Sequence, residues 1–252
     1  QANSLTAEQL VKFDTEAKVQ ALKPALLATL DGASQLAAMD PTQVAHFTKA
    51  QMTALTGDQL SKMTTDQLAK LSTDQIGAIN LTALPSLTTD QIASFAPGTQ
   101  MSGFSTAQIK ALSDTQVQAL TALQVKALSG TQVAAIENGD LDGMSDEQIQ
   151  AFKTDQIQAL TTSQFQALTV TQIAAMSDAQ VAKIENKDLA SLSGTQLNAM
   201  TATQVAALTD AQTKALTTAQ IPELGSDFIK AMTSTQLQAL TATQVKSLDV
   251  TQ

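Results

Sequence analysis

The chain has 252 residues, a hydrophobic fraction of 43% and a net charge of −9, and aromatic residues make up only 3% of it. It contains no Cys, which excludes disulfides, thiolate catalysis and cysteine-ligated metal. All 14 basic residues are Lys, and this acidic balance argues against nucleic-acid binding, which requires a basic surface to neutralise phosphates. No run of 18 apolar residues occurs, so we expect no membrane insertion.

An eight-residue repeat, here called the octad, organises almost the whole chain. Its marker is a position, here called the slot, that is usually Gln. Slots are irregularly spaced over residues 1–42, return every eighth residue over 43–91, and do so again over 100–252. Gln fills 25 of 31 slots. The residue after the slot is apolar in 29 of 30 octads, and the residue four after it is Leu, Ile, Met or Phe in all 30.

Each octad carries the signature of a helix start. Ser, Thr, Asp or Asn stands three residues before the slot in 24 of 31 cases. This spacing is that of the capping box, in which the cap oxygen and the Gln side chain each bond a backbone N–H. In the octad capped by Thr201, Met200 and Val205 also have the spacing of a hydrophobic staple. The repeat therefore predicts a new helix every eight residues.

A continuous helix is disfavoured because each octad would rotate the apolar stripe by roughly 80°. Strands are disfavoured because the apolar spacings break period-two alternation. We therefore predict an all-α fold, an elongated solenoid or superhelix of about thirty short capped helices, one per octad. It should form a single repeat domain over residues 1–252, since helices of one to two turns are stable only when stacked.

Two details of this solenoid follow from particular residues. Its helices should rarely exceed about eight residues, the length of the repeat. The last apolar positions of regular octads should be buried, namely those of Leu160, Leu168, Leu208 and Leu240. The irregular slots at 100, 140, 188 and 228 are five or six octads apart, which suggests a superhelical turn of five or six octads.

The segment 137–147 offers a candidate metal site. Asn138, Asp140, Asp142 and Asp146 resemble the start of a calcium loop in their spacing. Ile149, an octad core residue, stands where such a loop would place its bidentate Glu. The alternative interpretation is a modified helix cap.

Few other residues are candidates for catalysis, metal binding or modification. His46 is the only histidine, and a lone His without Cys or a second His is a poor metal site. We expect no catalytic residues, no cofactor and no enzymatic activity. The sequence Asn80-Leu81-Thr82 fits a glycosylation acceptor. The density of Ser and Thr would also suit an ice-binding face, or contacts with carbohydrate or peptide.

Two resemblances to known families can be drawn. The stretch LTATQVKSL at 240–248 resembles the opening of a transcription-activator-like effector repeat, but the DNA-reading part, the repeat length and the basic charge are missing, so no DNA function carries over. The octads as a whole resemble the Thr/Ala/Gln/Asp-rich tandem repeats of very large secreted bacterial surface or matrix proteins. This resemblance implies an extracellular or cell-surface structural segment, such as a spacer, stalk or fibre-forming unit of a biofilm matrix.

The alternative function is a binding solenoid for a protein, peptide or glycan.

A further expectation concerns partners. The last slot, Gln252, is in phase with its predecessors, and no polar capping octad precedes it. Solenoids need such capping units to end cleanly. We therefore expect Leu240, Val245 and Leu248 to be exposed unless covered, and copies of the chain to associate end to end.

Overall fold

Short helices follow one another at eight-residue intervals in the computed structural model, which describes residues 5–249 and 252. These residues form helices and connecting turns without a strand, so the predicted all-α class is confirmed. The chain divides into two units, residues 1–128 and 129–252. None of the described helices has the length and hydrophobicity needed to cross a membrane.

The first unit contains twelve α-helices among its described residues, with a π-helical turn at Gly32–Leu36 and 3-10 turns at Leu84–Ser86 and Met101–Gly103. The α-helices are α1 (Ala7–Leu10), α2 (Glu16–Gln20), α3 (Pro24–Leu27), α4 (Pro41–Val44), α5 (Lys49–Ala54), α6 (Gly57–Lys62), α7 (Thr65–Ala69), α8 (Thr73–Gly77), α9 (Thr89–Ser94), α10 (Thr106–Lys110), α11 (Asp114–Gln118) and α12 (Ala122–Ala127).

The second unit contains fourteen α-helices among its described residues and a 3-10 turn at Ile221–Glu223. The α-helices are α13 (Gly130–Val133), α14 (Asn138–Asp142), α15 (Asp146–Ala151), α16 (Thr154–Ala159), α17 (Thr162–Ala167), α18 (Val170–Ala175), α19 (Asp178–Val181), α20 (Asn186–Leu189), α21 (Gly194–Asn198), α22 (Ala202–Ala207), α23 (Asp210–Ala215), α24 (Ser226–Ala231), α25 (Ser234–Ala239) and α26 (Ala242–Lys246). No described helix exceeds six residues, which confirms the predicted limit.

The predicted capping boxes form at most of these helix starts. At α22, the Gln204 N–H donates to Thr201 Oγ1 at 3.3 Å, and the Thr201 N–H donates to Gln204 Oε1 at 2.7 Å. The staple residues Met200 and Val205 are both buried. A short helix with a capping box therefore begins with two otherwise unpaired N–H groups satisfied by its own octad.

Two helix starts use Asp in place of the usual hydroxyl. Asp31 accepts hydrogen bonds from the Ser34 hydroxyl and N–H, and Asp40 accepts them from the Thr42 hydroxyl and N–H. These bonds hold the pKa of both carboxyls below the ordinary value, because they stabilise the ionised form. A negative charge also suits the positive end of the helix dipole.

Each unit winds as a superhelix with between three and four octads per turn. Helices pack against the helix three octads away, as α4 does against α7 and α13 against α16. Hydrogen bonds from the slot glutamines reach four octads back, as from Gln164 to Val133. The predicted turn of five or six octads is therefore wrong. Of the four irregular slots, 140, 188 and 228 are local replacements and slot 100 follows one extra residue, so none of them marks the pitch.

The two large apolar positions of each octad form the core. Leu160, Leu168 and Leu208 are 2%, 3% and 5% exposed, which confirms their predicted burial. Leu240 is only half-buried, so the prediction is wrong for this residue. The reason is its place in the superhelix, because no later turn of described residues covers it.

The small residue three after the slot also has a structural role. It packs against the first helical residue of the octad three units earlier. The two backbones are so close that there is little room for side-chain atoms between them. A Cβ atom on Gly130 would lie 2.8 Å from Ala159 Cβ, and one on Gly194 would lie 2.6 Å from Glu223 Cβ. A large residue such as Glu223 is accommodated because glycine faces it. This packing explains why Ala predominates at the position.

Candidate functional site

The slot glutamine is the side chain that joins one superhelical turn to another. Gln164 Oε1 accepts the Thr161 N–H at 2.9 Å, while Nε2 donates to the carbonyls of Val133 at 2.9 Å and Ile136 at 2.8 Å. The side chain is 1% exposed. Gln164 thus caps the start of its own helix and also donates to two carbonyls at the end of a helix four octads earlier. The Val133 carbonyl accepts the Ile136 N–H as well, whereas the Ile136 carbonyl has no backbone donor among the described residues.

The same arrangement recurs in both units, and we call it the glutamine ladder. Each member donates to the residue after the slot and the residue four after it, in the octad four units earlier. In the first unit the distances are 2.7–3.2 Å and the donors are Gln43, Gln51, Gln59, Gln67, Gln75, Gln91, Gln100, Gln108, Gln116 and Gln124. In the second they are 2.6–3.2 Å and the donors are Gln164, Gln172, Gln180, Gln196, Gln204, Gln212, Gln220, Gln236, Gln244 and Gln252.

The ladder explains a preference that the capping box alone does not. A capping box accepts Glu as well as Gln, yet no slot holds Glu. Only the amide has N–H groups to donate, because an ionised carboxylate is purely an acceptor. Gln9, in the first octad, forms the capping box without the ladder bonds and is exposed. The absence of Glu was the sequence signal that could have revealed the ladder.

In two octads whose slot lacks Gln, an amide side chain supplies cross-turn bonds. The slot residue Ala83 has no donor, but Asn80 Nδ2 donates to the carbonyls of Thr53 at 2.9 Å and Leu55 at 2.8 Å. Asn80 Oδ1 also accepts the Ala83 N–H, and so caps the same turn. The nitrogen that a glycosylation would modify is therefore the nitrogen that joins this turn to an earlier one.

The octad with Phe228 in its slot is joined in a similar way. Its cap residue is Gly225, which has no side chain to accept a hydrogen bond. Asn198 instead reaches forward from the preceding turn, donating to the Glu223 carbonyl at 2.8 Å and accepting the Gly225 N–H at 2.7 Å. Asn198 thus accepts the N–H that a slot Gln usually accepts, and it adds a cross-turn bond to a carbonyl that the ladder does not use.

Asp188 is a buried carboxylate in a slot. Its side chain is 0% exposed, Oδ1 accepts the Thr162 hydroxyl at 2.5 Å, and Oδ2 lies 3.2 Å from Lys187 Nζ. Lys187 also pairs with Glu185. The hydrogen bond to Glu185, reinforced by Asp188, raises the pKa of Lys187 above its ordinary value. Asp188 therefore accepts a hydrogen bond from the turn three octads earlier. Its negative charge is compensated by Lys187, which lies at the surface.

The candidate calcium residues lie on helices and not in a loop. Asn138, Asp140 and Asp142 belong to α14, and Asp146 begins α15. Asp140 is buried at its slot, while the other three side chains are exposed. Over residues 5–249 and 252, no three His, Asp or Glu side chains are grouped as metal ligands, and His46 is half-buried. These four residues thus belong to two consecutive helices.

We accordingly expect chelation to leave the fold unchanged. Excess EDTA should not alter the melting temperature followed by circular dichroism, because core packing and the glutamine ladder need no metal. Bound metal would stabilise the folded state by mass action, so its removal would lower the melting temperature. A drop of many degrees that calcium reverses would restore the calcium hypothesis.

Thr213 interrupts the apolar pattern at the position after the slot. It is 1% exposed, and its buried hydroxyl has no hydrogen-bond partner among the described residues. Thr213→Val should raise the free energy of unfolding by about 1 kcal/mol or more, because it removes an unsatisfied polar group without changing the shape of the side chain. Urea denaturation would measure this, with Thr195→Val at an exposed position as the control. No gain over that control would contradict the expectation.

Two surface features remain. Cap hydroxyls pair with the hydroxyl two residues later at 2.9–3.1 Å in several octads, for example Thr169 with Thr171 and Thr201 with Thr203.

In the second unit an open groove borders α20 and is lined in part by Gln158, Lys183, Glu185, Asn186, Lys187 and Thr209. It is polar and open to solvent, and it lies beside the slot where Asp188 pairs with Lys187.

Comparison with known families agrees with the repeat architecture. Three segments, residues 99–130, 133–170 and 181–218, match the model of the ALTTAQ repeat. The string ALTTAQ itself occurs at 215–220, where it runs from Ala215 and the core residue Leu216 through the cap Thr217 to Gln220. The chain is a repeat protein that is similar to this family over these segments. No curated protein sequence gives a significant match.

Proposed function

We propose that the chain is a non-enzymatic structural segment, a spacer, stalk or fibre-forming unit, of a secreted surface or extracellular matrix protein. The observation that supports this most directly is the glutamine ladder, which joins turn to turn with two hydrogen bonds per octad. Bonds of this kind resist the separation of turns. A segment of this type transmits force without needing a reactive centre.

Single-molecule force spectroscopy tests the mechanical role. With handles at its two ends, the chain should unravel in small reversible steps, because each turn is bonded only to neighbouring turns. One octad can lengthen to at most about 28 Å. Gln204→Leu, within the ladder, should lower the unravelling force, whereas Gln9→Leu should not. Extension that follows the curve of an unfolded polypeptide at all forces would contradict a mechanical role.

Cell labelling tests the proposed location. An antibody raised against the folded chain should label intact cells of the source organism or their surrounding matrix. External protease should remove the label. Labelling that appears only after the cells are permeabilised would contradict a surface or matrix location, while leaving the mechanical test unaffected.

The groove beside α20 favours the alternative, a binding solenoid for a protein, peptide or glycan. Its lining brings Lys183, Glu185 and Lys187 together with amide side chains, so charges of both signs are available to a polar ligand. A glycan array and a peptide library probed with the full chain would test this. Binding lost in Lys187→Ala and retained in Lys126→Ala, an exposed Lys elsewhere, would support the alternative over a purely structural role.

A further inference from the structure

Four asparagines lie in the described part of the chain, and they differ in what their side chains bind. Asn80 and Asn198 use their amide groups in cross-turn hydrogen bonds. Asn138 and Asn186 are exposed, and neither side chain makes a hydrogen bond among the described residues. Of these two, only Asn138 precedes a glycine, Gly139, whose backbone nitrogen is not shielded by a side chain.

Asn138 and Asn186 occupy the same place in two closely similar octads. The sequences are IENGDL at 136–141 and IENKDL at 184–189. In both, Glu is the cap residue, and its side chain makes no capping hydrogen bond. The Asn is the first helical residue, and the residue after it carries an N–H group that no carbonyl of its own helix accepts. The two octads therefore differ at this point in whether Gly or Lys follows the Asn.

Lys187 holds the start of its octad in place, whereas Gly139 has no side chain to do so. The Lys187 ammonium bonds the Glu185 carboxylate and lies 3.2 Å from Asp188 Oδ2, so three charged side chains at this helix start are tied together. At the corresponding position, a Cβ atom on Gly139 would contact nothing within 4 Å. Gly139 and Asn138 are both exposed. Solvent base can therefore reach the Gly139 nitrogen.

The start of α14 is less firmly held than the start of a regular octad. The Glu137 carbonyl accepts the N–H groups of Asp140 at 3.1 Å and Leu141 at 3.0 Å, but the side-chain cap that most octads have is missing. Segments with few protecting bonds open by local fluctuation while the rest of the fold stays intact. Such an opening lets the backbone at Asn138 rotate until its side chain faces the Gly139 nitrogen.

We propose that Asn138 is a self-modification site, at which the side chain deamidates spontaneously in the folded chain. Solvent hydroxide takes the proton of the Gly139 N–H, and the nitrogen then forms a bond to Asn138 Cγ. The bond from Cγ to the amide nitrogen breaks, and that nitrogen takes up a proton and leaves as ammonia. Water opens the resulting cyclic imide at either of its carbonyls, which gives Asp or isoaspartate. The net change consumes one water, releases one ammonia and leaves a carboxylate in place of the amide.

The modification changes the octad in two ways. It places a negative charge one helical turn from the exposed Asp142. In the isoaspartate product the backbone also runs through the former side chain, so α14 can no longer begin as it does. The carbonyls of Leu141 and Met144 accept ladder bonds from Gln172 at 2.9 and 2.8 Å, so we expect faster hydrogen exchange in α14 and in α17, which packs on it. The inference goes beyond the structural role proposed above, because it gives one turn of the superhelix a limited chemical lifetime.

Peptide mapping of the full chain tests the proposal after incubation of the folded protein at physiological temperature and mildly alkaline pH. Cleavage after Lys separates the two matched asparagines, since it gives residues 127–153 with Asn138 and residues 184–187 with Asn186. Conversion appears as a mass gain equal to the replacement of NH by O, and fragment spectra locate it at Asn138. Isomerisation of Asp142, which also precedes a glycine, leaves the mass unchanged and is therefore distinguished from it.

Asn138 should convert in the folded chain at a rate within about tenfold of its rate in urea, which corresponds to an opening free energy of at most about 1.4 kcal/mol. Asn186 should stay unconverted over the same period. Gly139→Lys, which reproduces the matched octad, should stop the conversion without lowering the melting temperature, because Gly139 is exposed. Lys187→Gly should make Asn186 convert.

Three results would overturn the proposal. Much stronger protection of Asn138 in the folded chain than in urea would show that the start of α14 stays closed. Conversion of Asn186 at the same rate as Asn138, or unchanged conversion in Gly139→Lys, would show that the glycine is not the cause. The Gly139→Lys comparison decides the matter by itself if Lys187→Gly does not fold. The force and cell-labelling experiments do not depend on this outcome.

Discussion

Gln164→Glu is expected to lower the free energy of unfolding by about 1–3 kcal/mol, the cost of leaving the buried Ile136 carbonyl without a donor, while the Val133 carbonyl keeps the Ile136 N–H. The change keeps Oε1 and the capping box with Thr161 but removes the Nε2 donor to Val133 and Ile136. It also buries a carboxylate beside two carbonyl oxygens. Urea denaturation followed by circular dichroism would measure the loss.

The pH dependence separates this mechanism from simple loss of packing. Burial next to acceptors should raise the pKa of the introduced carboxyl in the folded state above its unfolded value of about 4.3. The protonated form can donate one hydrogen bond, so the variant should regain stability relative to the original chain as the pH falls toward that unfolded value. Gln164→Leu, which cannot ionise, should show a deficit that does not depend on pH in this way.

Gln9→Glu provides the matched control. Gln9 forms the same capping box with Thr6 but makes no ladder bond among the described residues and is exposed. Glu is as suitable as Gln for a capping box, so the stability change should stay within about 0.5 kcal/mol. Equal losses at the two positions would show that the slot matters for helix capping alone and that the ladder contributes little.

The contrast between these two glutamines shows what local sequence patterns can predict. A capping box is a relation between residues three apart, so the helix starts, the short helices and the all-α class could be inferred from octads such as that of Thr201 and Gln204. The ladder bond of Gln204 reaches Ile173, 31 residues away, and local spacing contains no information about which octad lies opposite. The superhelical turn could not be predicted for the same reason.

Irregular octads give no information about the superhelical turn for a related physical reason. Replacements at slots 140 and 188 suggest a long superhelical period, but changes at slots 83 and 188 are compensated by contacts across the turn. Asp188 meets the Thr162 hydroxyl, and Asn80 supplies the donor that Ala83 lacks. Such compensation depends on a neighbour 25 or more residues away, so it appears as noise in the repeat until the turn is known. Burial of Leu160 was predictable because only its own octad pattern was needed.

Leu160→Ala is expected to cost about 2–5 kcal/mol of the free energy of unfolding, the usual range for a buried Leu replaced by Ala. Leu160 is 2% exposed and occupies the last apolar position of its octad, where the truncated side chain would leave a cavity between turns. Because stability in a solenoid is close to a sum over neighbouring repeats, the loss should appear as faster hydrogen exchange in α16 and in the turns that contact it. Leu123→Ala is the control, since Leu123 is 67% exposed and its truncation should change stability by no more than about 0.5 kcal/mol. A cost at Leu160 that is no larger than at Leu123 would mean that the turns of this unit do not pack on that side chain.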